Sequence, residues 1–175
     1  MTMTRVFGCA ALILTVGCNS KTKPTPENYT AVLNAYYVEH RECLLADVKF
    51  PYETGEGESG KQMQALAVAK LVEGAKDPGL KVARYTLTPA GVRVGPHFCY
   101  GHRVVTSIDG STPPAVANGF TETVVDYTYK VEDVAVWAKT PEVLAAFPKM
   151  AAQTGGETKA KATLALSGVG WSVPE

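Results

Sequence analysis

The sequence of 175 residues predicts an α+β fold in which N-terminal helices pack on a mostly antiparallel sheet and one short helix follows later. Three observations predict this class. Apolar residues recur with helical spacing after Thr25, they alternate with polar residues in long stretches of the second half, and a Thr-Pro-Glu sequence at residues 140–142 begins a late helix. Helices and antiparallel strands in separate stretches of a chain are typical of an α+β domain.

The first helix is predicted to begin at Pro26, with Thr25 as its N-cap. Five residues then fall on one face of a helix of about five turns. They are Tyr29, Leu33, Tyr36, His40 and Cys43.

A second helix is predicted over residues 61–73, with Ser59 as its cap and Gly74 near its end. The stretch before it, residues 49–52, is predicted to be extended because Pro51 does not continue a helix. The inward side chains of the second helix are predicted to be Met63, Leu66, Ala67 and Leu71.

A turn predicted at residues 77–79 opens the strand-rich half of the chain. Strands are predicted at residues 82–88, 92–94, 98–108 and 120–131, with a turn at residues 89–91 between the first two. The helix that begins at residues 140–142 must end or kink at Pro148. In the last strand, Ala160, Ala162, Leu164 and Leu166 are predicted to point inward.

The aromatic residues of this half are predicted to belong mostly to the core. Tyr127 and Tyr129 share one strand face, and Trp137 and Trp171 lie near strand ends. Two or three of them exposed together would instead mark a contact surface for a protein or a glycan.

The N-terminus has the pattern of a secretory signal. Arg5 precedes an apolar run from Val6 to Gly17 that contains no acidic residue and is too short to cross a membrane, and a polar stretch follows it. We therefore predict a signal peptide at residues 1–17.

The end of this run, Thr15-Val16-Gly17-Cys18, resembles a bacterial lipobox, with Thr15 at the position where the family prefers Leu. The chain thus resembles the small lipoproteins of Gram-negative bacteria, and the segments FCYG, VDYTYKVEDVAVWAK and GVGWSV add to the likeness. The resemblance brings no known activity with it. It implies that Cys18 is acylated, and Asn19, in place of an aspartate, implies an outer-membrane destination on the periplasmic face.

Residues 18–27 are then predicted to form the lipidated cysteine and a flexible tether of about 30 Å, followed by a single domain over residues 28–175. Cys43 and Cys99 remain as an even pair in an oxidising compartment, which favours a disulfide between them. Free thiols at both positions are the alternative.

The charge balance argues against a nucleic-acid partner, because 17 basic residues face 17 acidic residues. We predict no nucleic-acid binding and one domain with an ordinary core.

Nucleotide binding is also not predicted, although residues 55–60 match the spacing of a glycine-rich phosphate loop and Lys61 follows them. Gln62 stands where a phosphate loop has a hydroxyl for Mg²⁺, and Glu56 and Glu58 would repel the phosphates. No βαβ unit surrounds the glycines. The loop is interpreted as a solvated connection.

Histidine and cysteine provide the candidate metal ligands. All three histidines, His40, His97 and His102, lie within three residues of Cys43 or Cys99 in the sequence. A bridge between the cysteines would bring the imidazoles near one another, and such a cluster suits Cu²⁺ or Zn²⁺. The alternative is an ordinary disulfide with histidines as neighbours, and we predict no cofactor.

Sequence motifs of hydrolases are absent, since neither G-x-S-x-G nor H-E-x-x-H occurs. Glu39, His40 and Glu42 adjoin, but neighbours on a helix point in different directions, and the glutamates are predicted to be solvated. We therefore predict a lipid-anchored, non-enzymatic module that binds an envelope protein. A metal-binding protein is the first alternative and an envelope hydrolase is the second.

Overall fold

The computed structural model describes residues 20–76, 79, 81–117 and 119–174. The predicted signal peptide at residues 1–17 and the predicted lipidation site, Cys18, lie outside these residues. The described helices are α1 (Pro26–Glu39), α2 (Glu58–Val68), α3 (Pro89–Val94), α4 (Pro141–Ala146) and α5 (Pro148–Thr154), with 3-10 turns at Ser20–Thr22 and Val136–Lys139. The described strands are β1 (Glu42–Cys43), β2 (Tyr52–Thr54), β3 (Val72–Lys76), β4 (Ala83–Leu87), β5 (Cys99–Ser111), β6 (Ala115–Ala117), β7 (Phe120–Glu132), β8 (Thr158–Ser167) and β9 (Gly170–Ser172).

The larger sheet is antiparallel, in the order β1-β5-β7-β8-β9, with β6 also paired to β7. The long strand β7 is its centre, since β5 lies along one of its edges and β8 along the other. The smaller sheet is also antiparallel, in the order β2-β4-β3. The α+β class is therefore confirmed.

Helix α1 packs on one face of the larger sheet and forms the α1 core with it. Alternate residues of β7 face the helix because side chains one residue apart in a strand point to opposite faces. Asn34 of the helix also covers a strand edge, since its Oδ1 accepts a hydrogen bond from the backbone N–H of Val105 at 2.8 Å. The buried members of the α1 core are Tyr29, Leu33, Tyr37, Val105, Val125, Tyr127, Tyr129, Leu164 and Trp171.

The smaller sheet packs with α2, α4 and α5 around a second cluster, the α2 core. Helix α3 also packs closely here: a Cβ added to Gly91 would lie 2.0 Å from the carbonyl oxygen of Leu71, so only glycine fits. The buried members of the α2 core are Leu45, Met63, Ala65, Leu66, Leu71, Val72, Tyr85, Phe98, Tyr100, Ala138, Val143, Phe147 and Met150.

The first helix is shorter than predicted. It begins at Pro26 behind the Thr25 cap, as expected, but it ends at Glu39, because His40 leaves the helical conformation with φ −103° and ψ 76°. Cys43 lies in β1, not on the helix face. The buried face uses Tyr37 where the pattern predicted Tyr36, which is only partly buried.

The second helix is also shorter than predicted. It spans Glu58–Val68 with Gly57 as its N-cap, so Ser59 lies inside it. Residues 72 and 73, predicted to be helical, belong to β3. The β-sheet partner explains the change, since Val72 pairs with Leu87 across the smaller sheet.

Helix α3 replaces the turn and short strand predicted over residues 89–94. The Thr88 hydroxyl oxygen accepts a hydrogen bond from Gly91 N at 3.0 Å, and Pro89 occupies the first turn, so these residues form an N-cap followed by Pro. Of the turn predicted at residues 77–79, only Gly79 is among the described residues.

The later long strands agree with the prediction, but two short helices stand where one was predicted. Strands β7 and β8 follow the alternating stretches. Between them the chain forms two short helices: α4 ends before Phe147, and α5 begins at Pro148. Tyr127, Tyr129 and Trp171 are buried in the α1 core. Trp137 packs partly buried against the α2 core.

The tether predicted over residues 18–27 differs from the structure from Ser20 onward. The 3-10 turn Ser20–Thr22 contacts β9, and the indole Nε1 of Trp171 donates a hydrogen bond to the carbonyl oxygen of Lys23 at 3.2 Å. The folded part therefore begins before residue 28, because the buried indole needs this acceptor. None of the described helices is long and apolar enough to cross a membrane.

Candidate functional site

A cleft of about 550 Å³ opens between the C-terminal half of α1 and the larger sheet. Its walls combine ionisable, aromatic and small side chains from α1, β1, β5, β8 and the chain end. The lining residues are Tyr36, Tyr37, His40, Glu42, Arg103, Lys161, Ala162, Thr163, Val173 and Pro174.

A largely buried ion pair lies at one side of the cleft. Arg103 Nε on β5 donates to Glu42 Oε1 on β1 at 2.6 Å, and the two side chains are 22% and 17% exposed. The pairing of β1 with β5, which sets Glu42 opposite Gly101, brings these charges together. Each charge is satisfied by the other, which a buried charge requires.

Aromatic rings surround the guanidinium group. The Arg103 Cζ atom lies 4.6 Å from the ring centre of Tyr129 and 5.0 Å from that of Tyr37, both within cation–π range. The hydroxyl groups of Tyr37 and Tyr127 are hydrogen-bonded to each other. Arg103 Nη1 also lies 3.5 Å from the Tyr127 hydroxyl, so one network joins α1, β5 and β7.

The network raises the pKa of two of its members, Arg103 and Tyr127. Burial opposes the charge of Arg103, but the hydrogen bond and the negative charge of Glu42 outweigh burial and raise the pKa of the guanidinium further. Burial first, and then the hydrogen bond with Tyr37, raises the pKa of Tyr127 above its usual range. The Arg103–Glu42 ion pair therefore lies in the cleft wall next to a Tyr127 hydroxyl that keeps its proton at neutral pH.

His40 lies at the C-terminal end of α1, where it closes the helix. Its ring stacks on the ring of Tyr36 with 3.8 Å between centres and an interplanar angle of 10°. Its Nδ1 lies 2.9 Å from the carbonyl oxygen of Tyr36, which can only accept, so this nitrogen carries the proton. The stacked pair forms a flat aromatic wall of the cleft.

Strand β8 brings an open edge to the cleft. Residues 158–166 pair with β7 on one side, whereas β9 pairs only with residues 165–167 on the other. The remaining edge, residues 158–164, has no second strand partner within the described part of the chain. Lys161, Ala162 and Thr163 belong both to this edge and to the cleft wall.

The three predicted metal ligands do not meet. His97 Nδ1 is 3.2 Å from the carbonyl oxygen of Leu45, and His102 Nδ1 is 3.6 Å from a carboxylate oxygen of Asp133, while His40 stacks on Tyr36. Within residues 20–76, 79, 81–117 and 119–174, no group of three or more His, Cys, Asp or Glu side chains is arranged to hold a metal ion.

The predicted disulfide is present. Cys43 and Cys99 are bonded and lie opposite each other in the β1–β5 pairing. The sequence had predicted that this bond joins a helix to a strand. It joins β1 to β5 instead, because α1 ends before Cys43.

The glycine-rich loop folds back on its own helix. A Cβ added to Gly60 would lie 2.3 Å from the carbonyl oxygen of Gly55, and Gly57 has a φ of +124° that favours glycine. A carbonyl oxygen, not a row of N–H groups, therefore lies against the first turn of α2.

Sequence reasoning did not identify Arg103 and treated Glu42 as solvated, and both residues are largely buried in the cleft wall. Glu39, predicted to be solvated as well, is exposed. One signal was available: Arg103 is a charge within the otherwise weakly polar strand stretch CYGHRVVTSI. A charge at an inward strand position needs a partner, but the sequence does not show that Glu42 supplies it.

No family model, curated protein or solved structure matches this chain.

Proposed function

We propose that this protein is a lipid-anchored lipoprotein of the outer membrane, facing the periplasm, whose domain binds an extended segment of an envelope protein. The segment would add a strand to the open edge of β8, with one side chain entering the cleft. The open edge at residues 158–164, directly beside the cleft, is the observation that carries the proposal.

An unpaired strand edge presents a row of N–H and C=O groups, and strand addition uses them to bind a peptide through its main chain. Edges of this kind are commonly blocked by lysines or prolines. Lys159 and Lys161 both lie on β8, yet Lys161 Nζ is held 2.8 Å from Asp126 Oδ1 on β7. That contact ties one of the two lysines to the neighbouring strand.

The cleft provides the means for specificity. Its buried charges are already paired, since Arg103 binds Glu42. A second charge brought into the cleft would compete with that pair, whereas an uncharged aromatic or amide side chain would contact the rings of Tyr36 and His40 at no such cost. We therefore expect the partner segment to present an uncharged side chain here.

The anchor is supported by the sequence pattern at Thr15-Val16-Gly17-Cys18 and by the signal-like run before it. Asn19 supports the outer rather than the inner membrane, and the disulfide between Cys43 and Cys99 is consistent with an oxidising compartment.

Site-directed photo-crosslinking in intact envelopes tests the proposal. Benzoylphenylalanine replaces Lys161 or Thr163, both exposed, and Val92 on α3, which is also exposed, serves as the control. We expect the same partner at both β8 positions and none at Val92. The contact points on the partner should shift by about two residues between the two probes, as in a paired strand.

A partner captured equally from Val92, or no reproducible partner from either β8 position, would contradict strand addition. Crosslinks from Lys161 and Thr163 to unrelated parts of the partner would exclude an extended segment.

Catalysis finds less support than binding in this cleft. Among the described residues that line it, none is a serine or a cysteine, and Glu42 is committed to Arg103. The metal-binding alternative has no gathered ligand set among the described residues to support it.

A further inference from the structure

Three apolar side chains are exposed at the same end of the larger sheet. Val116, Phe120 and Val169 are 81%, 59% and 82% exposed, which is unusual for residues of this size so close together. Val116 lies on β6, Phe120 begins β7, and Val169 lies in the connection between β8 and β9.

The strand register places these residues together. Val116, Thr121, Leu166 and Trp171 form one row across β6, β7, β8 and β9. Phe120, paired with Ala117, lies one residue beyond that row, toward the end of the sheet. The β8–β9 connection, which carries Val169, lies beyond the same row on the neighbouring strands.

The N-terminal segment of the described chain is held at this same end. The carbonyl oxygen of Lys23 accepts the hydrogen bond of Trp171, and a Cβ added to Gly170 would lie 3.3 Å from both Cβ and O of Lys21. Gly170 also has a φ of +133°, so a larger residue would be strained there as well as crowded. The point where the preceding 19 residues join the fold is therefore fixed beside the β8–β9 connection.

Two basic side chains lie at the same place. Lys21 and Lys23 are exposed, and neither forms an ion pair within the described residues. Two acidic residues lie nearby: Glu122 is one residue further along β7, in the row of Ala115 and Ala165, and Glu27 is in the first turn of α1, but neither forms an ion pair with these lysines among the described residues. This end of the larger sheet thus combines three exposed apolar side chains with two lysines that form no ion pair among the described residues.

We propose that this end, the anchor-proximal surface formed by Val116, Phe120, Val169, Lys21 and Lys23, rests on the phospholipid bilayer. The proposal rests on the lipid anchor at Cys18 proposed above. Two residues span at most about 7 Å, so acyl chains on Cys18 would hold Ser20 at the lipid headgroups. The three apolar side chains then enter the interface, and the two lysines meet anionic phosphates.

This placement orients the domain. Helix α1 starts at the anchor-proximal surface and runs away from it, and Tyr36 lies ten residues along it, about 15 Å from its start. The cleft is therefore held above the bilayer and remains open to the periplasm, where an extended segment can reach it. A long flexible tether, by contrast, would leave every face of the domain equally close to the membrane.

Photolabelling from the lipid tests the contact. The full chain, purified from membranes, is reconstituted in vesicles of phosphatidylethanolamine and phosphatidylglycerol that contain a phospholipid with a diazirine near its headgroup. Labelled peptides are mapped by mass spectrometry, which also reports the acylation of Cys18 in the same sample. We expect labels at residues 115–121 and 167–171 in at least about tenfold excess over α2 and α3, since burying even one of the three apolar side chains favours the docked state by about that factor.

Variants separate the contributions. The triple variant Val116→Ser, Phe120→Ser, Val169→Ser should remove the excess. The control triple variant Val38→Ser, Val68→Ser, Val92→Ser changes exposed valines elsewhere on the domain and should leave the excess unchanged. The double variant Lys21→Glu, Lys23→Glu should lower the labelling several-fold on these anionic vesicles and leave it unchanged on vesicles of phosphatidylcholine.

Labels spread evenly over the domain, on a chain whose Cys18 is acylated, would overturn this orientation and leave the anchor standing. An unmodified Cys18 would instead overturn the anchor. The labelling of that unmodified chain would still decide the surface: labels confined to residues 115–121 and 167–171 would support a direct bilayer contact, and their absence would overturn it.

Discussion

The two cores of this domain differ in their contacts with buried charged side chains. In the α2 core, apolar and aromatic side chains such as Leu66, Phe98 and Met150 pack together without a buried ion pair among the described residues. In the α1 core, the same kind of packing borders on Arg103 and Glu42, both largely buried. A buried ion pair rarely adds stability over an apolar core, so stability alone does not explain the Arg103–Glu42 pair.

The disulfide joins the regions that the two cores occupy, and its loss should have the largest effect. Cys43 follows Glu42 of the cleft, and Cys99 follows Phe98 of the α2 core. Replacing both cysteines with serine opens a loop with a sequence separation of 56 residues and should lower the free energy of unfolding by roughly 4 kcal/mol.

Urea unfolding measures this loss, with fluorescence and circular dichroism recorded together. One shared transition is expected in the variant, as in the parent. Two separate transitions would show that the cores are independent and that the disulfide alone couples them.

The buried ion pair should give the next largest effect. Glu42→Gln leaves the Arg103 charge without its partner and should cost about 3 kcal/mol, whereas Glu42→Gln with Arg103→Met removes both charges and should recover most of this loss. The control is Glu53→Gln, since Glu53 and Arg84 form an exposed pair at 3.9 Å that should contribute less than about 0.5 kcal/mol. Equal losses at Glu42 and Glu53 would mean that the cleft pair is solvated.

Alkaline pH should destabilise the domain through its buried tyrosines. Burial is the first cause that raises the pKa of both Tyr100 and Tyr127, so folding holds their protons more tightly. Their contribution is intact below pH about 10, the ordinary tyrosine value, and declines above it by about 1 kcal/mol per pH unit for each residue. Stability measured from pH 8 to 11 should therefore fall above pH 10, and Tyr127→Phe should reduce the slope. A slope unchanged in Tyr127→Phe would contradict the assignment.

The smallest effect compares two buried tyrosine hydroxyls of the α1 core. Tyr37→Phe removes the hydrogen bond to Tyr127 and should cost about 1 kcal/mol. The hydroxyl of Tyr29 is buried without a hydrogen-bond partner among the described residues, so Tyr29→Phe should be neutral or stabilising. Thermal unfolding of the two variants distinguishes them, and equal losses would show that Tyr29 has a partner such as a bound water.

The sequence predicted the elements that are set locally. The N-cap at Thr25, the break at Pro148 and the alternation of β7 and β8 each depend on neighbouring residues, and each is present. Helix α3 was missed although its cap at Thr88 and Pro89 are local signals, but the other errors lie where distant partners decide. Val72 is helical by pattern but pairs with Leu87, and Cys43 continues the helical spacing but pairs with Cys99 in a strand.

The cleft could not be predicted from the sequence for the same reason. Glu42 and Arg103 are 61 residues apart, and nothing local indicates that two short strand contacts will join them. The open edge of β8 likewise depends on the length of β9, which ends its pairing at Ala165. The proposed acylation of Cys18, in contrast, is a prediction from a local sequence pattern.

The most direct test of the account is mass spectrometry of the unreduced protein taken from the membrane fraction. We expect the mature chain to begin at Cys18, with acyl chains on that residue and a linked peptide that joins Cys43 to Cys99. A chain that retains residues 1–17, or one cleaved elsewhere and free of lipid, would contradict the anchor on which the proposed location, orientation and partner depend.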